Sequence, residues 1–174
     1  MIDPLTGLYN RRFAMPFLRE QVTTRAPEAR EFAVMVADLD HFKHINDTHG
    51  HATGDRVLCH VADILGQSVR EGDLVARIGG EEFLIIMPGA GGDEARRTAD
   101  LLCRQIANTA IMPKGEAGPV HVTISIGVAM GQGGQPLDAA TGTLDALMDQ
   151  ADRALYRAKA RGRNNVTISA RSAA

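Results

Sequence analysis

Three acidic side chains in this chain stand where an ordinary β-turn has no use for charge. The segment ARIGGEEFLIIMP, residues 76–88, sets Gly79 and Gly80 and then Glu81 and Glu82 between two short apolar runs. Another apolar run, FAVMVAD, closes on Asp38. Carboxylates brought together repel one another, and one must take up a proton unless a cation arrives. Oxygen-only ligation by two or three acids suits Mg²⁺, which keeps several waters and completes its shell from substrate phosphates. Phosphoryl transfer is the chemistry that follows. The plainer alternative is a pair of exposed acids beside a hairpin, ion-paired to a neighbour such as Arg77.

The stretch DLDHFKHINDTHGHATGDRVL, residues 38–58, adds Lys43, Asn46, His51 and Asp55 directly after that acidic strand end. Lys43 could meet phosphate charge as it develops in a transition state. Asn46 and Asp55 offer an amide and a carboxylate to a base. A carboxylate accepting two parallel N–H bonds fits the Watson–Crick edge of guanine, and against adenine it is left as an unpaired charge. Taken singly, Asp40 could only cap a short helix, Asp55 the next one, and Lys43 could be solvated. His41, His44, His49 and His51 invite a zinc reading, but no cysteine or dedicated spacing supports a closed tetrahedral site.

These residues need a frame that brings residue 38 to residue 81. NRRFAMPFLREQVTTR reads as an opening helix with Pro16 in its early turns, and Phe32 to Asp38 as a buried strand. From Asp55, the residues Val57, Leu58, Val61, Ile64 and Leu65 recur at helical spacing, to about Val69. LVARI and EFLIIMP around Gly79-Gly80 predict a hairpin with a two-residue primed turn, which wants positive φ at both glycines. Ala95, Ala99, Leu102 and Ile106 share a helix face, Val120 to Met130 alternates as a strand, and Leu144 to Ala158 holds a helical register. Gly162 is the expected residue closing that helix, and NVTIS a last edge strand. The order contains β-α-β-β-α-β, a ferredoxin-like α+β core with an antiparallel central sheet and flanking helices. In that topology the first strand lies antiparallel to the third, so Asp38 and Glu81 meet at one end of the sheet.

Size and composition agree with one domain over residues 1–174. The chain is 44% hydrophobic and 23% charged, as in ordinary globular proteins, and its formal charge is −2. That charge gives no general reason to expect DNA or an anionic membrane as partner. The start lacks the basic and apolar regions of a signal peptide, and the apolar runs are too short to span a bilayer. Cys59 and Cys103 have no metal-type spacing, fall within helical patterns and read as buried free thiols in a reducing cytosol.

RIGGEEF at 77–83 together with DLDHFKHINDTHGHATGD resembles the GGDEF family, the diguanylate cyclases. DPLTGLYNRR at 3–12, SIGVA at 125–129 and ADRALYRAKARGRN at 151–164 extend the likeness over nearly the whole chain, in the family's order. The resemblance implies a catalytic domain related in fold to adenylyl cyclases, making cyclic di-GMP and two pyrophosphates from two GTP. It implies Mg²⁺ (or Mn²⁺) held by Asp38, the Leu39 carbonyl and Glu81, with Glu82 assisting. Glu81 is also the expected group for deprotonating the attacking 3′-hydroxyl. By the same carry-over Lys43 stabilises the transition state, and Asn46, His51 and Asp55 contact the nucleotide. Lys159 and Arg163 grip its terminal phosphates, and Gly79 and Gly80 let the backbone approach it. Cations near a helix C-terminus also complement its dipole, which is the plainer account of Lys159 and Arg163.

Each protomer would bind one GTP, so the resemblance implies a homodimer with two sites face to face. It also implies a sensory or dimerising segment upstream in a longer protein, cytoplasmic for this domain whether or not the whole protein is membrane-anchored. REGD, Arg70 to Asp73, matches the family's R-x-x-D inhibitory motif, which captures the product cyclic di-GMP. Arginine can donate two bonds to the O6/N7 edge of guanine, and aspartate accepts from N1–H and N2–H. Family members with this feedback often add an arginine where Leu101 stands here. The rival expectation is a receptor module that binds cyclic di-GMP or GTP without making it.

Overall fold

The computed structural model describes residues 1–27, 31–115 and 118–170. Its elements run β1 (Tyr9–Asn10), α1 (Arg11–Thr23), β2 (Glu31–Leu39), α2 (Phe42–His49), α3 (His51–Ser68) and β3 (Leu74–Arg77). They continue with β4 (Glu82–Pro88), α4 (Gly92–Ala107), β5 (Ile124–Gln132), α5 (Ala140–Ala160) and β6 (Val166–Ile168). One six-stranded sheet has the order β1-β3-β4-β2-β5-β6. β2 is antiparallel to both β4 and β5, which is the ferredoxin-like core the strand order predicts. β1 and β6 add parallel edges to it.

β2 reads as a continuous apolar run because both its faces are covered. Ala33, Met35, Ala37 and Leu39 pack into a core under α2, α3 and α4. Phe32, Val34 and Val36 pack into a second core with Ala14, Leu18 and Val22 of α1 and Leu147, Ala151 and Leu155 of α5. Side chains alternate across the sheet, so one strand supplies both layers. α5 can lie directly on β5 because Gly127 faces it: a Cβ there would stand 2.2 Å from the Ala151 carbonyl oxygen.

Several boundaries differ from the sequence reading. α3 begins at His51 rather than Asp55, so Asp55 lies inside the helix and does not cap it; Gly50, at φ +87°, is the preceding residue. The last core strand starts at Ile124, while Val120 instead bridges to Ile111. Pro16 sits within α1, which Asn10 caps by accepting from the Phe13 amide. The Gly79-Gly80 turn is not a two-residue primed turn. Neither glycine is among the residues with positive φ, and the loop spans residues 78–81, closed by the Ile78 amide on the Glu82 carbonyl at 2.9 Å. The four-residue loop spreads the reversal over enough bonds that no left-handed residue is needed.

Candidate active site

The end of β2 is where the acids meet. Asp38 is the register partner of Glu82 on one side and of Ser125 on the other, and the Leu39 amide donates to the Glu81 carbonyl at 3.2 Å. Asp38 is 9% exposed. Its Oδ2 accepts from Lys159 Nζ at 2.8 Å, while its Oδ1 is buried without a hydrogen-bond partner among the described residues. A buried carboxylate oxygen with no fixed donor is costly unless a cation takes it up or the neighbouring Glu81 carries a proton. Burial first, then the Asp38 charge and a side-chain hydrogen bond with Asp38, push the Glu81 carboxyl above the usual carboxylate range, with Lys159 opposing. Glu82 is pushed up by burial, then by Asp38 and Asp152, with Lys159 and Arg11 opposing.

Arg77 does not neutralise this group, as the plainer sequence reading had it. Its Nε and Nη2 donate to the Gly80 carbonyl at 3.1 and 2.8 Å, and its Nη1 faces Asp3 at 3.3 Å. It braces the loop from outside and ties it to the chain start. The donor set that remains is two carboxylates and a strand-end carbonyl, with Glu82 alongside. Among the described residues no three His, Cys, Asp or Glu side chains gather as a metal cluster, the four histidines around α2 included. Two carboxylates and a backbone carbonyl are all oxygen donors, the kind that suits a hard cation.

Lys159 lies in the last turn of α5, just before the helix closes. Gly162 has φ +107° and donates to the Lys159 carbonyl, and the Arg163 amide donates to Ala158. This is the Schellman closure expected of a C′ glycine. The chain then passes through Arg163 and Asn164, both at positive φ. Arg163 is exposed.

Asp40 does not cap α2; His41, itself left-handed at φ +55°, precedes that helix without a side-chain cap. The Asp40 carboxylate is 4% exposed and accepts from Thr123 Oγ1 and Ser125 Oγ, both at 2.6 Å, and from the Asn164 amide at 2.9 Å. It fastens the ends of β2 and β5 to the loop after α5. Sequence reasoning missed this joint, since its three partners lie far downstream.

α2 and α3 carry the remaining predicted residues. Lys43, His51 and Asp55 are exposed, and Asn46 is half-buried with its Oδ1 unpartnered among the described residues. Gly54 lies against that amide: a Cβ there would fall 1.8 Å from Asn46 Oδ1. Gly54 is a second residue the sequence reading passed over. Gly80 is open, with nothing within 4 Å of a notional Cβ, whereas at Gly79 that atom would stand 2.8 Å from Glu82 Oε2.

The R-x-x-D pair lies apart from the acids, before β3. Arg70 Nε donates to Asp73 Oδ1 at 3.1 Å and its backbone amide to Oδ2 at 3.1 Å. The Asp73 side chain is almost fully buried, and burial outweighs Arg70 in pushing its carboxyl up.

Comparison with known proteins follows the same residues. A family profile described as "Diguanylate cyclase, GGDEF domain" matches residues 1–165. The chain is 36% identical over 169 residues to "Diguanylate cyclase DgcP" of Pseudomonas aeruginosa, covering 97% of this chain and 24% of that protein. It is 38% identical over 164 residues to "Diguanylate cyclase DgcM" of Escherichia coli K12, covering 94% of this chain and 37% of the relative. It thus spans well under half the length of either. Among solved structures, the coiled coil and GGDEF domain of DgcB from Caulobacter crescentus in complex with c-di-GMP superposes with a TM-score of 0.86 at 30% identity. That match covers 97% of this chain and 85% of the other. The active GGEEF domain of a Vibrio cholerae diguanylate cyclase superposes at 0.79 and 28% identity, covering 95% and 99%.

Proposed function

The chain belongs to the GGDEF family of diguanylate cyclase domains, and from that premise we propose that it condenses two GTP into cyclic di-GMP across a transient homodimer. The observation that carries the reading is the buried, unpartnered Oδ1 of Asp38 at the sheet end it shares with Glu81 and Glu82. Asp38, the Leu39 carbonyl and Glu81 would hold Mg²⁺ or Mn²⁺, with Glu82 beside them. When bound, that ion neutralises charge on the nucleotide's phosphates.

The chain's own residues do the rest. Glu81 accepts the proton of the 3′-hydroxyl of the partner protomer's GTP. The freed oxygen attacks the α-phosphorus in line, and the bond to pyrophosphate breaks as the new phosphodiester forms. Two such displacements close the ring. Lys43 offsets charge on the departing phosphates. Asn46 and Asp55, from facing helices, take the guanine edge, with His51 beside the nucleotide. Gly79 and Gly80 leave the loop bare for it, as the open space around Gly80 supports. Lys159 turns from Asp38 to the terminal phosphates once the acids have another cation, and Arg163 joins it.

Turnover by this route is second-order in domain concentration unless a further segment pairs two copies. Cyclic di-GMP feeds back through Arg70 and Asp73. No helix among the described residues is long and apolar enough to cross a membrane.

The test is a chromatographic assay of the purified chain at high concentration with GTP and Mg²⁺. Cyclic di-GMP and pyrophosphate should appear, rise when two copies are fused, and vanish in Glu81→Gln. No product from the fused pair, stripped of co-purified nucleotide, would replace the cyclase reading with a receptor module.

A further inference from the structure

Arg70 is already engaged at every guanidinium nitrogen. Besides Nε on Asp73, its Nη1 donates to Glu94 Oε1 at 2.7 Å and its Nη2 to the Pro88 carbonyl at 2.6 Å. Each nitrogen of the guanidinium already serves a protein acceptor. Three of the five guanidinium N–H groups are taken, and those bonds fix its orientation, so turning two parallel donors to a guanine O6/N7 edge competes with bonds already made.

The three acceptors differ in kind. Asp73 belongs to the product-binding pair itself, and its side chain is 1% exposed. Pro88 offers backbone at the end of β4. Glu94 is a surface carboxylate, 38% exposed, in the first turn of α4. A carboxylate there is favoured by the helix dipole as well as by Arg70, so it is held near the guanidinium with or without ligand. It also opposes the phosphodiester charges of an incoming cyclic dinucleotide.

We propose that Glu94 is an internal competitor for Arg70 that weakens product binding and so sets the level of cyclic di-GMP at which feedback begins. This rests on the reading of Arg70 and Asp73 as the product site. Glu94 takes no part in catalysis; it holds Arg70 turned toward α4 until a ligand outbids it. Glu94→Gln removes the charge and leaves only a neutral amide oxygen to accept from Arg70, which weakens the competitor and leaves the Arg70–Asp73 pair intact.

The experiment is titration calorimetry of the nucleotide-free chain with cyclic di-GMP, on wild type, Glu94→Gln, Glu71→Gln and Arg70→Ala. Glu71 is an exposed neighbouring carboxylate and controls for removing one negative charge nearby. Glu94→Gln should bind roughly threefold to tenfold tighter than wild type, the scale of an exposed ion pair plus a repulsion relieved. Glu71→Gln should match wild type, and Arg70→Ala should lose binding. In the turnover assay the Glu94→Gln enzyme should stall at correspondingly lower product while keeping its initial rate, which also shows that it is folded. Equal affinity in Glu94→Gln and wild type, or the same gain from Glu71→Gln, overturns the competitor and leaves the product site standing. Binding that survives Arg70→Ala, or no binding by any of the chains, overturns the product-site reading and the competitor with it. Binding by Glu94→Gln alone would support both.

Discussion

Lys159 Nζ lies 2.8 Å from Asp38 Oδ2, while the other oxygen of the same carboxylate is buried and has no partner among the described residues. A side chain from the last turn of α5 thus serves as counter-ion to the end of β2, 121 residues away in sequence. The pair is half satisfied, so the carboxylate keeps one oxygen for the cation of the proposed reaction.

That arrangement predicts competition between Lys159 and a divalent ion. Lys159→Met should bind Mn²⁺ roughly threefold to tenfold tighter than wild type in the absence of nucleotide, read by electron paramagnetic resonance. Its turnover of GTP should nonetheless fall, because the same amine serves the phosphates in the proposed reaction. Unchanged Mn²⁺ affinity would show that Lys159 does not compete.

Asp40 should be worth more to stability than its place beside the acids suggests. Asp40→Ala strands two hydroxyls and the Asn164 amide at a buried joint. The expected loss is about 2–4 kcal/mol in urea unfolding. A loss under 1 kcal/mol would mean water or a shifted loop takes over the joint.

Two glycines should respond in opposite directions to alanine. At Gly127 the added Cβ meets the Ala151 carbonyl oxygen and the Leu155 amide nitrogen, both at 2.2 Å, so α5 must lift from the sheet. That variant should lose about 3 kcal/mol or fail to fold. At Gly66, inside α3, the nearest atom is Leu8 Cδ2 at 4.0 Å, and alanine should gain up to about 1 kcal/mol from helix propensity. Thermal melts of the two variants decide it.

Asp3 supplies a pH dependence with a definite sign. Burial alone would raise its carboxyl, but bonds from Thr6 and Arg77 overcome it and hold it below its ordinary 3.8. A depressed folded pKa gives stability that is full above the ordinary value and is lost as pH falls through the folded one. The stability gap between wild type and Asp3→Asn should therefore be constant near neutrality and shrink only below about pH 3.8. A gap that closes between neutrality and pH 5 would contradict this.

The Cys103 thiol is pushed up to about 12, by burial first and then by Asp100 and Asp40. Thiolate is the reactive form, so native Cys103 should resist iodoacetamide at mildly alkaline pH and react fully in denaturant. Mass spectrometry of the labelled peptide would show either.

Much of this molecule could be read from local pattern. The apolar run of β2, the helical spacing in α3, α4 and α5, and Gly162 as the closing residue are all local signals, and the structure bears them out. The meeting of Asp38 with the Glu81 loop followed from topology, because antiparallel β2 and β4 leave few places for those ends to go. Tertiary structure decided what depends on partners distant in sequence. Arg77 went to Gly80 and Asp3 instead of the glutamates, Asp40 became a joint instead of a cap, and Glu94 took hold of Arg70. A side chain's donors and acceptors are its chemistry, and sequence states those. Which of several equivalent carboxylates or carbonyls it meets depends on ångström-scale packing of segments that no local spacing encodes.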